Sequence, residues 1–240
     1  QLELTNSKPR EINVPEETGT LAIDLGNSTT VVAFQNELNR KITLLDLPPI
    51  TRIAGEVPSI VWCSATKPPY EAVGNGITKN DNKELISDFK RWICAPKSLT
   101  VNNSILSPER AGEILIREIW RHLPKKLNIK RLVLTAPVET YREYRSWLCN
   151  VCSQLEVSEI ALVDEPTAAA MGAGLLPGSK LLVVDIGGST IDMSIVALEG
   201  GEGKAEPVAQ LLRFGGQDIQ EKSKQVLRCA KVLGKAGQRI

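Results

Sequence analysis

The sequence predicts an α/β fold in which helices flank a mixed sheet, and two observations lead to that prediction. The first is a pair of apolar hairpins, Thr20–Phe34 and Leu181–Val196, each of which turns through a glycine two positions after an aspartate. The second is the alternation of strand and helix patterns over residues 107–174, between the hairpins. Hairpins together with strand–helix–strand units are typical of a sheet with both kinds of strand pairing.

The hairpin Leu181–Val196 has the residues expected of a phosphate site. Its first apolar run ends in Asp185 and in the turn Gly187-Gly188-Ser189-Thr190. A glycine turn leaves backbone N–H groups unobstructed, and the two hydroxyl groups add hydrogen-bond donors. Asp185 and Asp192 flank the turn, and carboxylates repel a phosphate unless a cation lies between them. The pattern therefore indicates a phosphate site with a hydrated Mg²⁺.

The same order of residues occurs near the N-terminus. Thr20–Phe34 contains an apolar strand, Asp24, Gly26 and the small polar turn Asn27-Ser28-Thr29-Thr30. A single Gly-Gly-Ser turn between strands is more often an ordinary hairpin. Two such hairpins, roughly 160 residues apart, instead indicate two halves of a duplicated fold that close on the phosphate tail of one nucleotide.

Charge and composition argue against several other classes of protein. The net charge of +1 gives no reason to expect nucleic acid or an anionic membrane as a partner. No apolar run reaches the roughly 18 residues of a membrane span, and the polar N-terminus lacks the apolar core of a signal peptide. Five cysteines, an odd number, indicate reduced thiols and a cytoplasmic location. Cys149 and Cys152 are expected to pack within a helix and not to bind metal.

The remaining elements are predicted from periodicity and from start signals. Ser107 followed by Pro108 and Glu109 is a strong helix start. Lys90 and Arg91 lie in an expected short helix, either on a solvated face or with one cation over the phosphates, and spacing does not choose between these. The expected strands outside the hairpins are 41–47, 56–63, 70–73, 131–135, 160–163 and 207–214. The expected helices are 83–93, one from residue 107, 141 to about 155, 168–174 and, loosely, 219–233.

Five motifs together resemble a known family. In order they are Ile23–Thr29, Asp88–Arg91, Leu134–Val138, Val163–Ala170 and Val184–Asp192. This order resembles the nucleotide-binding domain of DnaK-type heat-shock chaperones, which belong to the actin-like ATPase superfamily with its ribonuclease H-like lobes. The Glu-Pro-Thr-Ala-Ala-Ala block and the second hairpin are specific to the chaperone branch. The resemblance covers Leu21 to about Val196.

The resemblance implies a role for each matching residue, with ATP or ADP and Mg²⁺ as cofactors. Lys90 would reach the γ-phosphate, Glu165 would align the attacking water and couple to Pro137, and Asp185 would orient the metal shell and the water. The first phosphate loop would be Gly26, Asn27 and Ser28, and the second Gly187, Gly188, Ser189 and Thr190. The residues implied near the metal are Asp24, Asp185 and Asp192.

The chain departs from the family pattern in three respects. Asn27-Ser28 stands where the family usually has two threonines, so one hydroxyl near the phosphate is lost. Ser189 stands where the family has a third glycine, which costs about 1 kcal/mol or more if the position needs a positive φ. Beyond Val196 the match is loose. Gly215–Asp218 is either a turn of the second lobe or part of an insertion over 214–232, and the adenosine-binding motifs are expected beyond residue 240.

These observations predict a domain plan and a function. Residues 1–19 are expected to form a flexible lead-in, 20–178 the first lobe with 39–106 as its upper subdomain, and 179–240 the start of an incomplete second lobe. The resemblance implies a chaperone ATPase whose cycle gates client binding, with clients and co-chaperones held by other domains and with weak or absent activity in this piece alone. The rival hypothesis is a degenerate scaffold without turnover. A filament-forming protein and a sugar kinase fit the motifs less well, and self-association is plausible.

Overall fold

The computed structural model describes residues 17–64, 71–77, 85–95, 99–101, 104–138, 141–174, 176, 178–187, 190–199 and 202–212. The predicted lead-in up to residue 16, the turn Gly215–Asp218, the helix 219–233, Gly188 and Ser189 lie outside these ranges. The strands are β1 (Glu17–Asp24), β2 (Thr29–Asn36), β3 (Ile42–Leu44), β4 (Glu56–Pro58), β5 (Val61–Cys63), β6 (Glu71–Val73), β7 (Leu99–Val101), β8 (Ser104–Leu106), β9 (Leu127–Ala136), β10 (Glu159–Asp164), β11 (Lys180–Ile186), β12 (Thr190–Glu199) and β13 (Glu202–Leu212). The helices are α1 (Pro108–Arg121), α2 (Tyr141–Cys152) and α3 (Glu165–Gly172).

The main sheet is mixed, which confirms the predicted fold class. Its strand order is β10-β9-β1-β2-β3, and β4 also pairs with β2. β1, β9 and β10 are parallel, whereas β2 is antiparallel to β1, β3 and β4. A second, antiparallel sheet has the order β11-β12-β13, and β5–β6 and β7–β8 form separate hairpins.

The core lies on one face of the main sheet. Leu21 and Ile23 of β1 and Val32 and Phe34 of β2 are fully buried, as expected for alternate residues of a strand with one covered face. Helices α1 and α2 cover that face with a shared set of buried apolar side chains, Ala111, Ile114, Leu115, Ile119, Leu148 and Val151. The opposite face therefore remains available for a binding cavity.

Helix α1 begins as predicted and anchors the small β5–β6 hairpin. The Ser107 hydroxyl accepts a hydrogen bond from the Arg110 N–H at 3.1 Å, with Pro108 at the first helical position. Arg110 pairs with Glu71 of β6 at 2.9 Å, and Arg117 pairs with the same carboxylate. Glu113 pairs with both arginines, so four half-buried charged groups tie β6 to α1.

Residues 56–63 form two strands, so the prediction of one continuous strand is wrong. Pro58 has no N–H to continue the sheet pairing. The next N–H, that of Ser59, donates to the Ser28 carbonyl at 2.9 Å. Val61 then pairs with Val73 of β6 and bridges Ile86, so β5 belongs to a different sheet from β4.

The predicted helix over 83–93 is also wrong for the residues described. Ile86 forms a β-bridge with Val61, and the chain has only a 3-10 turn at Lys90–Trp92. Asp88 and Cys94, on either side of that turn, have positive φ angles of 57° and 67°. A helix cannot continue through such residues, and pairing with β5 replaces its hydrogen bonds.

Several boundaries and one burial prediction also differ. β1 already begins at Glu17 and pairs with Leu127, so residues 17–19 belong to the sheet and not to a flexible lead-in. α3 begins at Glu165, three residues earlier than expected. Cys152 is buried as predicted, but Cys149 is exposed. No helix among the described residues is both long enough and apolar enough to span a membrane.

Candidate functional site

One cavity brings together the residues that the two hairpins and the central motifs supply. It has a volume of about 890 Å³ and lies against the face of the main sheet that the helices α1 and α2 do not cover. Among the predicted site residues, its wall includes Asp24, Gly26, Asn27, Ser28, Lys90, Glu165, Asp185, Gly187 and Asp192. Its apolar wall includes Ala22, Val31, Ala33, Ile42, Val133, Val163 and Met171. Thr190 begins β12, beside this group, and the turn residues Gly188 and Ser189 are outside the described ranges.

The first loop, Gly26-Asn27-Ser28, joins β1 to β2 at the edge of the cavity. A Cβ atom on Gly26 would lie 2.2 Å from the Thr29 carbonyl oxygen, so glycine is required for this tight turn. The Ser28 carbonyl accepts the Ser59 N–H, and the Asn27 side-chain oxygen accepts the Arg91 N–H at 3.2 Å. The loop is therefore bound to the turn that carries Lys90.

Lys90 and Glu165 form an ion pair in the cavity wall. The Lys90 Nζ donates to Glu165 Oε1 at 2.6 Å, and the two side chains are only 14% and 21% exposed. Lys90 is therefore not on a solvated face, which contradicts that alternative. Its ammonium group lies in the same wall as the first loop, where a bound phosphate would compete with Glu165 for it.

Glu165 is placed by the start of α3. The Asp164 carboxylate caps the helix by accepting the Thr167 N–H at 2.9 Å, so Glu165 is the first helical residue. Burial raises the pKa of Glu165, and the charges of Asp24 and Asp185 raise it further, while Lys90 opposes them. Because burial disfavours the charged carboxylate, this group depends on a hydrogen-bond donor to stay ionised.

Asp24 is the last residue of β1, and it is oriented by a residue to which the sequence analysis assigned no role. The Thr135 hydroxyl, near the end of the parallel neighbour β9, donates to Asp24 Oδ1 at 2.5 Å. Thr135 also lines the cavity. Its position in the Leu134–Val138 motif, at the carboxyl end of a strand next to β1, was the signal that could have identified it.

Asp185 and Asp192 lie directly opposite each other in the β11–β12 pair, and both line the cavity. In the first hairpin the corresponding pair is Asp24 opposite Val31, so the two hairpins share one register. Like charges in opposite positions on neighbouring strands destabilise a sheet. A cation held between the two carboxylates would offset this repulsion.

These carboxylates suit a hydrated magnesium ion. Among the described residues, no group of three or more His, Cys, Asp or Glu side chains forms a ready-made metal cluster. Mg²⁺ keeps several of its waters and usually takes one or two carboxylates together with substrate phosphates. Asp24, Asp185 and Asp192, distributed around one cavity, fit that mode of binding.

The chain is similar to MreB/Mbl and DnaK proteins. The family model of the MreB/Mbl protein matches residues 52–232. The chain is 28% identical over 206 residues to the chaperone protein DnaK of Metamycoplasma hominis, which covers 82% of the chain and 33% of the relative. It is 29% identical to DnaK of Mycoplasmopsis synoviae, with the same coverage, and 30% identical to DnaK of Mesomycoplasma hyopneumoniae over 73% of the chain and 29% of the relative.

The chain thus spans about a third of the length of these curated relatives. The family model, in contrast, covers most of the chain, including both the Lys90 turn and the second hairpin. The mixed sheet, the two hairpins in the same register and the shared cavity are the structural features that accompany this match. The chain belongs to the MreB/Mbl family, and it is a DnaK-like domain with the actin-like ATPase fold.

Proposed function

We propose that this domain binds ATP with Mg²⁺ and hydrolyses it to ADP and phosphate. The observation that carries the proposal is the single cavity lined by both glycine hairpins, the Lys90–Glu165 pair and three aspartates. No simpler role accounts for four carboxylates facing one space, because their mutual repulsion costs stability in the absence of a cationic ligand.

The phosphates would bind between the two loops. In the first loop, the backbone of Gly26, Asn27 and Ser28 would offer N–H groups at a tight turn whose first position admits only glycine. The second loop, from Gly187 through Gly188, Ser189 and Thr190, would offer backbone N–H groups to the phosphates from the opposite side. Lys90 would then leave Glu165 and bind the terminal phosphate as a compact point charge.

The reaction would be in-line attack of water on the terminal phosphorus atom. Glu165 and Asp185 would orient the water, and catalysis would be mainly positioning and charge neutralisation. Asp24, Asp185 and Asp192 would hold Mg²⁺ through its waters, and the ion would supply positive charge to the phosphate oxygens. Thr135 would keep Asp24 in the required orientation, since it donates to one of its two oxygens.

In the longer protein, this hydrolysis would gate the binding of client polypeptides, in the cytoplasm and with co-chaperones. Its relatives named chaperone protein DnaK support that extension. The domain plan expected from the sequence, with the first lobe over 20–178 and the second lobe beginning at 179, is part of the same proposal. Contacts with client proteins would involve segments other than the cavity, and the isolated domain would bind nucleotide weakly.

A second candidate is a scaffold that binds nucleotide without turnover. It is favoured by Asn27, which stands in place of a family threonine and whose side-chain oxygen is engaged by the Arg91 N–H. If that bond persists with nucleotide bound, the Asn27 side chain stays bound to the Arg91 backbone, and the first loop offers no hydroxyl group at this position. The two candidates differ in phosphate release and not in binding.

Isothermal calorimetry with Mg·ATP, followed by measurement of phosphate release, separates these functions. We expect weak, saturable, Mg²⁺-dependent heat from the wild-type chain and a clear loss in Asp185→Asn. Glu37→Gln, an exposed carboxylate paired with Lys130, is the matched control and should bind as wild type does. Binding without phosphate release would favour the scaffold, and absence of heat at millimolar nucleotide would refute both candidates for this domain.

A further inference from the structure

Tyr144 carries a buried hydroxyl group without a hydrogen-bond partner in the described part of the chain. The residue lies in α2 and is 1% exposed, and its Oη forms no hydrogen bond with any described residue. Its ring packs edge-on against Trp147, with the ring centroids 5.1 Å apart. The Trp147 indole N–H, in contrast, donates to the Glu109 carbonyl at 3.2 Å. A phenylalanine would satisfy the packing at position 144 and avoid the cost of an unpaired buried hydroxyl.

Tyr144 lies in the first turn of α2, which begins five residues after β9 ends at Ala136. Helix α2 packs on β9 and β10, the strands that end near Thr135 and Glu165. Burial raises the pKa of Tyr144 well above its ordinary value, and the negative charges of Glu165 and Asp24 add to the effect. The hydroxyl therefore stays protonated and remains a hydrogen-bond donor.

Glu165 will need such a donor when nucleotide binds. In this structure Lys90 donates to it, while Asp24 and Asp185 face it with like charge. Once the Lys90 ammonium turns to a phosphate, the Glu165 carboxylate is left largely buried, and within the described ranges no second Lys, Arg or His pairs with it. Removing one partner from a buried ion pair is far more costly than removing both, so a replacement donor is strongly favoured.

We propose that Tyr144 is a positioning residue whose hydroxyl donates to Glu165, directly or across one water, when Lys90 moves from Glu165 to the phosphates. The hydroxyl that is unpaired in this structure is then the partner of the second state. It would hold the carboxylate in the orientation that aligns the attacking water. This inference rests on the proposed function for the movement of Lys90, but the exchange of partners can be tested without nucleotide.

A double-mutant cycle tests that exchange in the intact chain. Lys90→Met removes the ammonium group permanently and so imitates its departure. In the wild-type background we expect Tyr144→Phe to leave the unfolding equilibrium constant unchanged or to lower it, because an unpaired hydroxyl is removed. In the Lys90→Met background the same change should raise that constant by about tenfold, because a hydrogen bond to a carboxylate is lost.

The proposal is tested by the difference between the effects of Tyr144→Phe on the unfolding equilibrium constant in the two backgrounds. Equal effects in the two backgrounds would overturn it, because Tyr144 would then be only a packing residue. Ser146→Ala, which removes an exposed hydroxyl from the same helix, is the control and should have the same small effect in both. If Lys90→Met does not fold, Lys90→Ala replaces it in the cycle.

Spectroscopy supplies a readout that packing alone would not change. We expect the ¹³Cζ resonance of Tyr144 to shift in Lys90→Met, as its hydroxyl gains an acceptor, and to stay in place in Ser146→Ala. With Mg·ATP, Tyr144→Phe should lower kcat severalfold and leave nucleotide affinity unchanged. If the chain binds no nucleotide, only the proposed function is refuted. The double-mutant cycle and the ¹³Cζ resonance still test the role of Tyr144, because neither measurement needs nucleotide.

Discussion

The Lys90–Glu165 ion pair yields a quantitative prediction about stability. Its N–O distance is 2.6 Å and its side chains are 14% and 21% exposed. A hydrogen bond between charged groups contributes roughly 1.5–3 kcal/mol, and breaking a fully buried pair costs more. Because this pair retains some contact with solvent, we expect Lys90→Met to lower the free energy of unfolding by about 2 kcal/mol at neutral pH.

The same pair predicts how that loss depends on pH. The pKa of Glu165 is already raised by burial, and it will rise further once the ammonium is gone. A carboxyl group whose pKa is higher in the folded than in the unfolded state contributes its full stability below the pKa of the unfolded state, here 4.5. That contribution is lost as pH rises through the pKa of the folded state. The penalty of Lys90→Met should therefore be small in acid and grow toward neutral pH.

Chemical denaturation followed by tryptophan fluorescence measures this loss, and Lys126→Met is the matched control. The Lys126–Glu17 pair has the same N–O distance of 2.6 Å, but its side chains are 48% and 40% exposed. Exposed pairs contribute little, so we expect the control to change stability by no more than about 0.5 kcal/mol. Equal losses in the two variants, or a loss in Lys90→Met that does not vary with pH, would refute the argument from burial.

Three further predictions concern the second hairpin, the cavity wall and the thiols. Asp192→Asn removes the charge repulsion between residues 192 and 185, which lie opposite each other on β12 and β11. It should raise the free energy of unfolding of the nucleotide-free protein by about 0.5 kcal/mol and weaken Mg·ATP binding. A lower melting temperature in calorimetry would contradict this prediction. Glu165→Gln removes a carboxyl group whose pKa is raised in the folded state. The free energy of unfolding of the wild type should therefore fall relative to this variant as pH rises above about 4.5. If the two curves of unfolding free energy against pH are parallel, the pKa of Glu165 is not raised. Burial raises the pKa of Cys152 to about 12, so at neutral pH an alkylating reagent should modify the exposed Cys149 while Cys152 reacts only on unfolding, as peptide mass mapping would show.

Local patterns in the sequence were sufficient for much of the fold. Ser107 and Pro108 predicted the start of α1, because capping depends only on neighbouring residues. The two Asp-x-Gly hairpins were likewise predicted, since alternating apolar residues and a glycine turn specify a strand pair locally. The mixed sheet followed from these hairpins and from the strand–helix order between them.

The errors occur where distant partners compete for the backbone. The segment before Lys90 has a helical pattern, but Ile86 exchanges hydrogen bonds with Val61, 25 residues earlier in the chain. Ser59 leaves the sheet because its N–H binds the Ser28 carbonyl. Local propensity is a weak guide when tertiary hydrogen bonds of this kind are available.

In the candidate site, too, some features follow from local sequence and others from tertiary contacts. Asp24, Asp185 and Asp192 were predicted as site residues from the two glycine hairpins, whereas Lys90 and Glu165 were assigned from the resemblance to DnaK-type chaperones. Their roles remain predictions, but folding brings them to one cavity. The identities of the groups were thus encoded in short segments that can be read independently of one another.

The relations between those groups arise from the packing of elements far apart in the chain. Thr135 reaches Asp24 because β9 lies parallel to β1, and Asn27 reaches the Arg91 backbone because the first loop meets the Lys90 turn. The unpaired hydroxyl of Tyr144 exists only because α2 is buried against β9 and β10. A hydrogen bond needs its atoms within about 3 Å, and sequence spacing does not determine distance between residues that are not neighbours in the same element.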